Sequence, residues 1–175
     1  MTDTTETNRR SLLLGAAGLA LAGRETLAAA PDVAPKATLV YEALALLEPT
    51  VQHGRGRYGE RARVPIIGGT AKGPGFSARI LPGGADWQLL RADGFKELEA
   101  DYYMETDDKV QIHVINRGLV APQREGVARY AMSTPWFEAP AGRYEWLNQR
   151  LFVGTVSPGD DPKRPSVRLS IFRLD

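Results

Sequence analysis

Two short segments and two single side chains hold the residues best suited to chemistry. The first segment is Gly83-Gly84-Ala85-Asp86-Trp87. Glycine allows positive φ and close backbone approach, and an aspartate behind it can accept from nearby backbone N–H groups. Partly buried at the mouth of a barrel, such a carboxyl rises in pKa and becomes a usable general base. The plain structural alternative is a tight turn capped by Asp86 and packed by Trp87. On a regular strand the two side chains point to opposite faces, so they share a pocket only at a bent strand end. The second segment is Tyr144-Glu145-Trp146-Leu147-Asn148. Read as a strand, it puts Tyr144, Trp146, Asn148 and Arg150 on one face and Leu147, Leu151 and Val153 on the other. A mixed aromatic and polar face suits a lumen with a ligand cavity; the alternative is a face turned to solvent. Tyr102 shares a face with Met104 and Thr106 and reads as a hydrogen-bond donor or general acid, or as a core tyrosine with one partner for its hydroxyl. Arg63 can orient a substrate carboxylate or enolate, or pair with Asp86 or Asp93.

Other chemistries lack their residues. The sequence has no cysteine, which removes thiolate metal sites, iron–sulfur clusters and cysteine nucleophiles. Its two histidines, His53 and His113, are too few for a three-histidine zinc site, and no G-x-S-x-G elbow accompanies them. The run GGTAKGPG (68–75) lacks the G-K-[ST] ending of a phosphate loop. Asp107-Asp108 reads as a hairpin turn, since no further carboxylates flank it as calcium ligands. With 22 Lys+Arg against 21 Asp+Glu and a net charge of +1, the chain has no basic stripe for nucleic acid. The expectation is therefore no cofactor, no metal and no nucleic-acid partner, with a small-molecule ligand or substrate instead.

The elements that must position these residues are strands. KELEADYYMETDD (96–108) alternates, with Leu98, Ala100, Tyr102, Met104 and Thr106 on one face. VQIHVINRG (110–118) pairs with it across the Asp107-Asp108-Lys109 turn. RVPIIGGT (63–70), FSARILPGG (76–84), DWQLLRADG (86–94), ARYAMSTPWFE (128–138), RYEWLNQRLFVGTV (143–156) and SVRLSIFRLD (166–175) supply further strands between turn signals. ATLVYEALALLEP (37–49) reads either as a helix, favoured by Ala and Leu, or as a long first strand, and QHGRGRYGE around His53 reads as a loop. The spacing predicts an all-β fold, a single antiparallel up-and-down barrel of about eight to nine strands. Its last strand closes on the first, which removes exposed edges.

The first thirty residues have another logic. Asn8-Arg9-Arg10-Ser11 precedes an apolar run from Leu12 to Ala22, then Ala28-Ala29-Ala30. This is the n-, h- and c-region order of a signal peptide, with the arginine pair of the twin-arginine route. The run is far shorter than the ~20 residues that span a bilayer. The expected organisation is a twin-arginine signal at 1–30, a linker at 31–37 and a β-barrel domain at 38–175. The export machinery is then a partner, the domain has no membrane contact after cleavage, and its location is periplasmic or secreted.

RVPIIGGTAKGPGFSARILPGGADWQLLRADG, ELEADYYMETDDKVQIHVINRG and RYEWLNQRLFVG together resemble the bacterial and fungal family called domain of unknown function 3237, from about Ala37 to Leu174. PGGADWQ with its ADG, the T-D-D turn and Y-E-W-L-N are the most specific pieces. The resemblance implies a small antiparallel β-barrel and carries no catalytic residue across. Asp108-Lys109 stands where the family has Asp-Gly, a change at a turn.

Three functions fit these observations. The first is a cofactor-independent isomerase, lyase or cyclase acting by proton transfer on a small apolar or aromatic molecule, with Asp86 as base, Tyr102 and Asn148 around a developing oxyanion, and Arg63 orienting the substrate. The second is a binding protein that uses Trp87, Tyr144 and Trp146 as contacts without chemistry. The third is a partner-binding barrel with a filled interior. Convergence of Asp86, Tyr102 and Asn148 on one cavity is what the first reading requires.

Overall fold

The computed structural model describes residues 34–175. The expected signal, residues 1–30, and the first residues of the linker lie outside them. Ten strands follow: β1 (Ala37–Leu47), β2 (Val51–Gly56), β3 (Gly59–Gly73), β4 (Phe76–Ile80), β5 (Gly84–Leu90), β6 (Lys96–Thr106), β7 (Gln111–Val120), β8 (Ala131–Glu138), β9 (Phe152–Pro158) and β10 (Ser166–Leu174). A five-residue 3-10 helix, Glu145–Gln149, separates β8 from β9. The ambiguous 37–49 segment is a strand, because its backbone is claimed from both sides, by β10 and by β3. The loop-like run around His53 is also paired, as β2 on the first half of β3.

All pairings are antiparallel, and they close. The wall runs β1, β10, β9, β8, β7, β6, then β4 and β5 together, then β3 and back to β1. β4 and β5 share one place, since β5 pairs with Glu60–Ile66 of β3 and β4 with Gly69–Gly73. In the same way β2 continues the line of β1 along the other edge of β3. The result is a closed eight-position barrel with two extra strands. The 15-residue β3 serves four neighbours and needs glycine where they crowd. A Cβ at Gly69, whose φ is +139°, would lie 2.1 Å from the Leu44 carbonyl oxygen.

The structure differs from the sequence expectation at 143–151. No strand forms there; the segment turns as a 3-10 helix and β9 begins only at Phe152. Its buried side chains are Tyr144 and Leu147, three apart, as a three-residue turn requires. Leu147 drops into one end of the barrel and closes it. There it joins Tyr41, Phe76, Met104, Ile112, Phe137 and Phe152 in the core. The Tyr41 and Phe76 rings stack at 5.0 Å, and Phe137 meets Phe152 edge-on at 4.8 Å. The opposite end is lined more thinly and holds a cavity.

Candidate active site in the open end of the barrel

The cavity follows from which residues alternate inward. Directly opposed partners on neighbouring strands share a face, so Asp86 of β5, Ala100 of β6 and Asn116 of β7 form one inward row. The next row toward the rim is Gln88, Leu98, Gly118 and Ser133. Ala45, Ala100 and Gly118 leave the middle of the lumen open, and a cavity of about 220 Å³ results. That is below the ~300–1,000 Å³ of ordinary ligand pockets, so the occupant it suits is ring-sized. Ile66, Leu98, Val120, Val156, Val167 and Leu169 supply an apolar wall. The exposed Arg129, Ser157 and Pro158 mark the rim.

Asp86 carries the main chemical potential of the site. Its Oδ2 accepts from the Gln88 amide at 2.6 Å, while Oδ1 is buried without any partner. Burial pushes the carboxyl above the ordinary carboxylate range, against the opposing pull of the Gln88 bond, the Glu99 backbone and the Lys96 ammonium. The Gln88 bond thus anchors one oxygen, and burial strengthens the carboxylate as a base. Tyr102 lies on the cavity wall, 4% exposed. Burial pushes its hydroxyl up to about 12, so at ordinary pH it remains a proton-bearing donor. Gly84 lets β5 approach it closely, since a Cβ there would stand 2.5 Å from the Tyr102 Cβ. Beneath it the Tyr41 hydroxyl is buried next to that of Tyr102, and burial, with Tyr102 adding to it, shifts it well upward.

Two further side chains complete the polar band. Asn116 and Ser133 line the cavity, and Asn116 Oδ1 and Ser133 Oγ are buried without protein partners. Native interiors rarely leave such atoms unpaired. With Asp86 Oδ1, three such atoms belong to residues that line one cavity. The sequence signal for these two was a single polar residue on an otherwise apolar alternating face: Ile112-Val114-Asn116 in β7, and Ala131-Ser133-Pro135-Phe137 in β8.

The structure brings Asp86 and Tyr102 to this cavity and places the other candidates elsewhere. Asn148 lies at the opposite end, where its amide spans Ala139, accepting from the backbone N–H and donating to the carbonyl, each at 2.8 Å. It fastens the 3-10 helix to the end of β8. Tyr144 lies beside it, its hydroxyl donating to Asp108 Oδ1 at 2.8 Å. That bond ties the helix to the Thr106–Val110 hairpin, where Lys109 takes the left-handed turn position. Trp146 packs on Phe152 and under the Arg173 guanidinium at the same end. Arg63 and Trp87 face outward, because β5 stays regular there and its alternation sends Asp86 in and Trp87 out. With Tyr103 and Gln111 they border a shallow groove on the outer wall. The Arg63 guanidinium lies 6.0 Å from the indole centre, and His53 stacks on the same ring.

The chain matches the family described as "Protein of unknown function (DUF3237)" over residues 35–174. It belongs to that family. A UPF0311 protein of Rhodopseudomonas palustris (strain TIE-1) is 37% identical over 111 residues, which cover 57% of this chain and 72% of the relative. Among solved structures, a conserved protein of unknown function from Rhodopseudomonas palustris is 31% identical with a TM-score of 0.74, covering 81% of this chain and 99% of that one. A beta-barrel like protein from Acinetobacter baumannii AYE is 26% identical with a TM-score of 0.73, covering 81% and 97%. The family resemblance read from PGGADWQ, T-D-D and Y-E-W-L-N is thereby confirmed. The structure gives those motifs their roles: the first delivers Asp86 to the cavity, and the other two, joined by the Tyr144–Asp108 bond, close the far end.

Proposed function

We propose that this DUF3237 domain is a cofactor-independent enzyme that binds a ring-sized, largely apolar molecule in the open end of the barrel and moves a proton with Asp86 as the base. The observation that carries the reading is the two-sided environment of that carboxyl, with Oδ2 anchored by Gln88 and Oδ1 buried and unpartnered, on a residue that lines the cavity. In the step that fits, Oδ1 takes a proton from a carbon beside a carbonyl, and the C–H electron pair moves into the carbonyl to give an enolate oxygen. Tyr102 donates to that oxygen, with the Asn116 amide in reach of the same void. Return of the proton to another carbon makes an isomerisation; expulsion of a leaving group makes an elimination.

The test uses deuterium. Cyclic β,γ-enones and α-substituted aryl ketones are incubated with the protein in D2O and followed by NMR. The wild type is expected to wash deuterium into the carbon acid it binds, and Asp86→Asn to lose that activity while still binding. An Asn variant as active as the wild type ends the role of Asp86. Compounds that bind and are recovered without exchange favour the second reading, a small-molecule binding protein that uses the same cavity without chemistry.

We further propose that the domain works in the periplasm or outside the cell after twin-arginine export. Support comes from Arg9-Arg10 ahead of the short apolar run. Replacing both arginines with lysine is expected to hold the protein in the cytoplasm. Unchanged secretion of that variant excludes the route, and an intact N-terminus on the exported protein excludes cleavage.

A further inference from the structure

The cavity lining contains one carboxyl, Asp86, and two cations, Lys96 and Arg129, both toward the rim. Several cations of the barrel wall are matched within the chain: Arg79 to Glu105, Arg91 to Asp93 and Glu97, Arg117 to Glu99, Arg168 to Asp160, Arg173 to Asp175. Among the described residues, Lys96 and Arg129 have no such match. Arg55, Arg57, Arg61 and Arg63 of the β2–β3 hairpin are unmatched as well, as are Lys36, Lys72, Arg124, Arg150, Lys163 and Arg164, but none of these lines the cavity. Among the described residues, Lys96 and Arg129 are the cations without an ion pair that line the same cavity as the unpaired Asp86, Asn116 and Ser133.

The two features ask for different groups of one ligand. An ionised Asp86 Oδ1 and the Asn116 Oδ1 can only accept hydrogen bonds, and Ser133 Oγ can do either. Their missing partner is a donor. At the rim, two cations against one carboxyl leave a single positive charge uncompensated, and an arginine fork matches a carboxylate in shape. The spacing suits one small molecule. Lys96 is four residues from Ala100 on β6, on the same face, so the rim lies about 13 Å along the strand from the Asp86–Asn116 row at ~3.3 Å per residue, and a lysine side chain can fold back over part of that span.

We propose that the occupant of this cavity is a ring-sized monoanion with an O–H or N–H donor at its far end, its anionic group held at the rim by Lys96 and Arg129 and its donor set against Asp86, Asn116 and Ser133. The proposal rests on the reading of the cavity as a ligand site and adds the class of ligand. The anion stays outside the apolar wall, where it keeps part of its hydration, and only the neutral end enters.

Three probes separate the parts: 4-hydroxybenzoate, its methyl ester, and benzoate. Each is titrated into the purified domain by calorimetry at low ionic strength and again at high salt. The expected result is tightest binding of 4-hydroxybenzoate, with the ester at least about tenfold weaker for loss of the charge. Benzoate is weaker for loss of the donor, and only the two acids are salt-sensitive. Lys96→Met and Arg129→Met are expected to bring acid and ester within about twofold of each other, mainly by weakening the acid. Ester binding by the same variants reports that the barrel is intact. Equal binding of acid and ester by the wild type, or an acid preference that survives both substitutions, overturns this inference alone. Failure of all three probes to bind overturns it together with the reading of the cavity as a ligand site.

Discussion

At the closed end of the barrel Tyr41, Phe76, Met104, Phe137 and Phe152 fill the lumen with their side chains, whereas toward the open end the same strands present Ala45, Ala100, Gly118 and a few polar groups. Within β6 alone, Met104 and Thr106 are sealed while Leu98 and Ala100 remain partly open. The closed end also makes the polar bonds that hold its cap: Asn148 to Ala139, Tyr144 to Asp108. The open end leaves Asp86, Asn116 and Ser133 wanting. One half of the lumen is filled and bonded, and the other is left open at the place where we propose that the proton moves.

The largest expected effect lies in the closed half. Phe137→Ala removes a ring that touches both Tyr41 and Phe152 and is expected to cost about 3–5 kcal/mol in urea unfolding; a loss under about 1 kcal/mol would remove the contrast between the ends. Asn148→Ala orphans a backbone N–H and a carbonyl at the buried Ala139. A loss of about 1–3 kcal/mol is expected, with ligand affinity unchanged. An Asn148 variant that keeps its stability and loses activity would return that residue to the site.

In the open half the signs reverse. Asp86→Asn is expected to stabilise the fold by about 0.5–2 kcal/mol at neutral pH, as relief of a strained functional group commonly does, while abolishing proton transfer. The pH dependence follows from the upward shift from 3.8. In the window just above 3.8 the folded state holds more protons than the unfolded one, so wild-type stability falls as pH climbs through it. Asp86→Asn should lack that fall. The turnover rate should rise with pH, with a midpoint above 3.8. Ala100→Leu, which adds bulk to the void, is expected to change stability by less than about 1.5 kcal/mol and to abolish ligand binding. The smallest effect belongs to the outer wall. Trp87 is 47% exposed, and Trp87→Ala should shift stability by about 0.5 kcal/mol and leave affinity untouched.

The contrast between the ends also explains what could be read from the sequence. Strand alternation located Tyr102 on the inward face of β6, and the rule that Asp86 and Trp87 oppose each other held, because β5 stays regular. The Asp107-Asp108-Lys109 turn, the pairing it joins and the closure of the last strand on the first were all legible from local chemistry. The segment Tyr144–Asn148 misled, since tyrosine, tryptophan and asparagine two apart imitate a strand face. The three-residue spacing of Tyr144 and Leu147, just after Gly142, was the competing signal, and tertiary bonds to Asp108 and Ala139 decided the matter. Asn116 and Ser133 escaped notice because each is one polar residue in an apolar strand. Only closure of the barrel shows that both meet Asp86 around one void.

The closure has a consequence for the order of events during synthesis. β1 pairs with β10 from Ala37↔Leu174 to Leu46↔Ser166, and Thr38 bonds Asp175 across 137 positions of chain. Until β10 has left the ribosome, β1 and β9 each expose an unpaired edge, and contacts so distant in sequence form slowly. The nascent chain therefore carries two adhesive borders that vanish together when the final strand zips in. A chain that stops before Ser166 is expected to aggregate through those borders, not merely to lose stability.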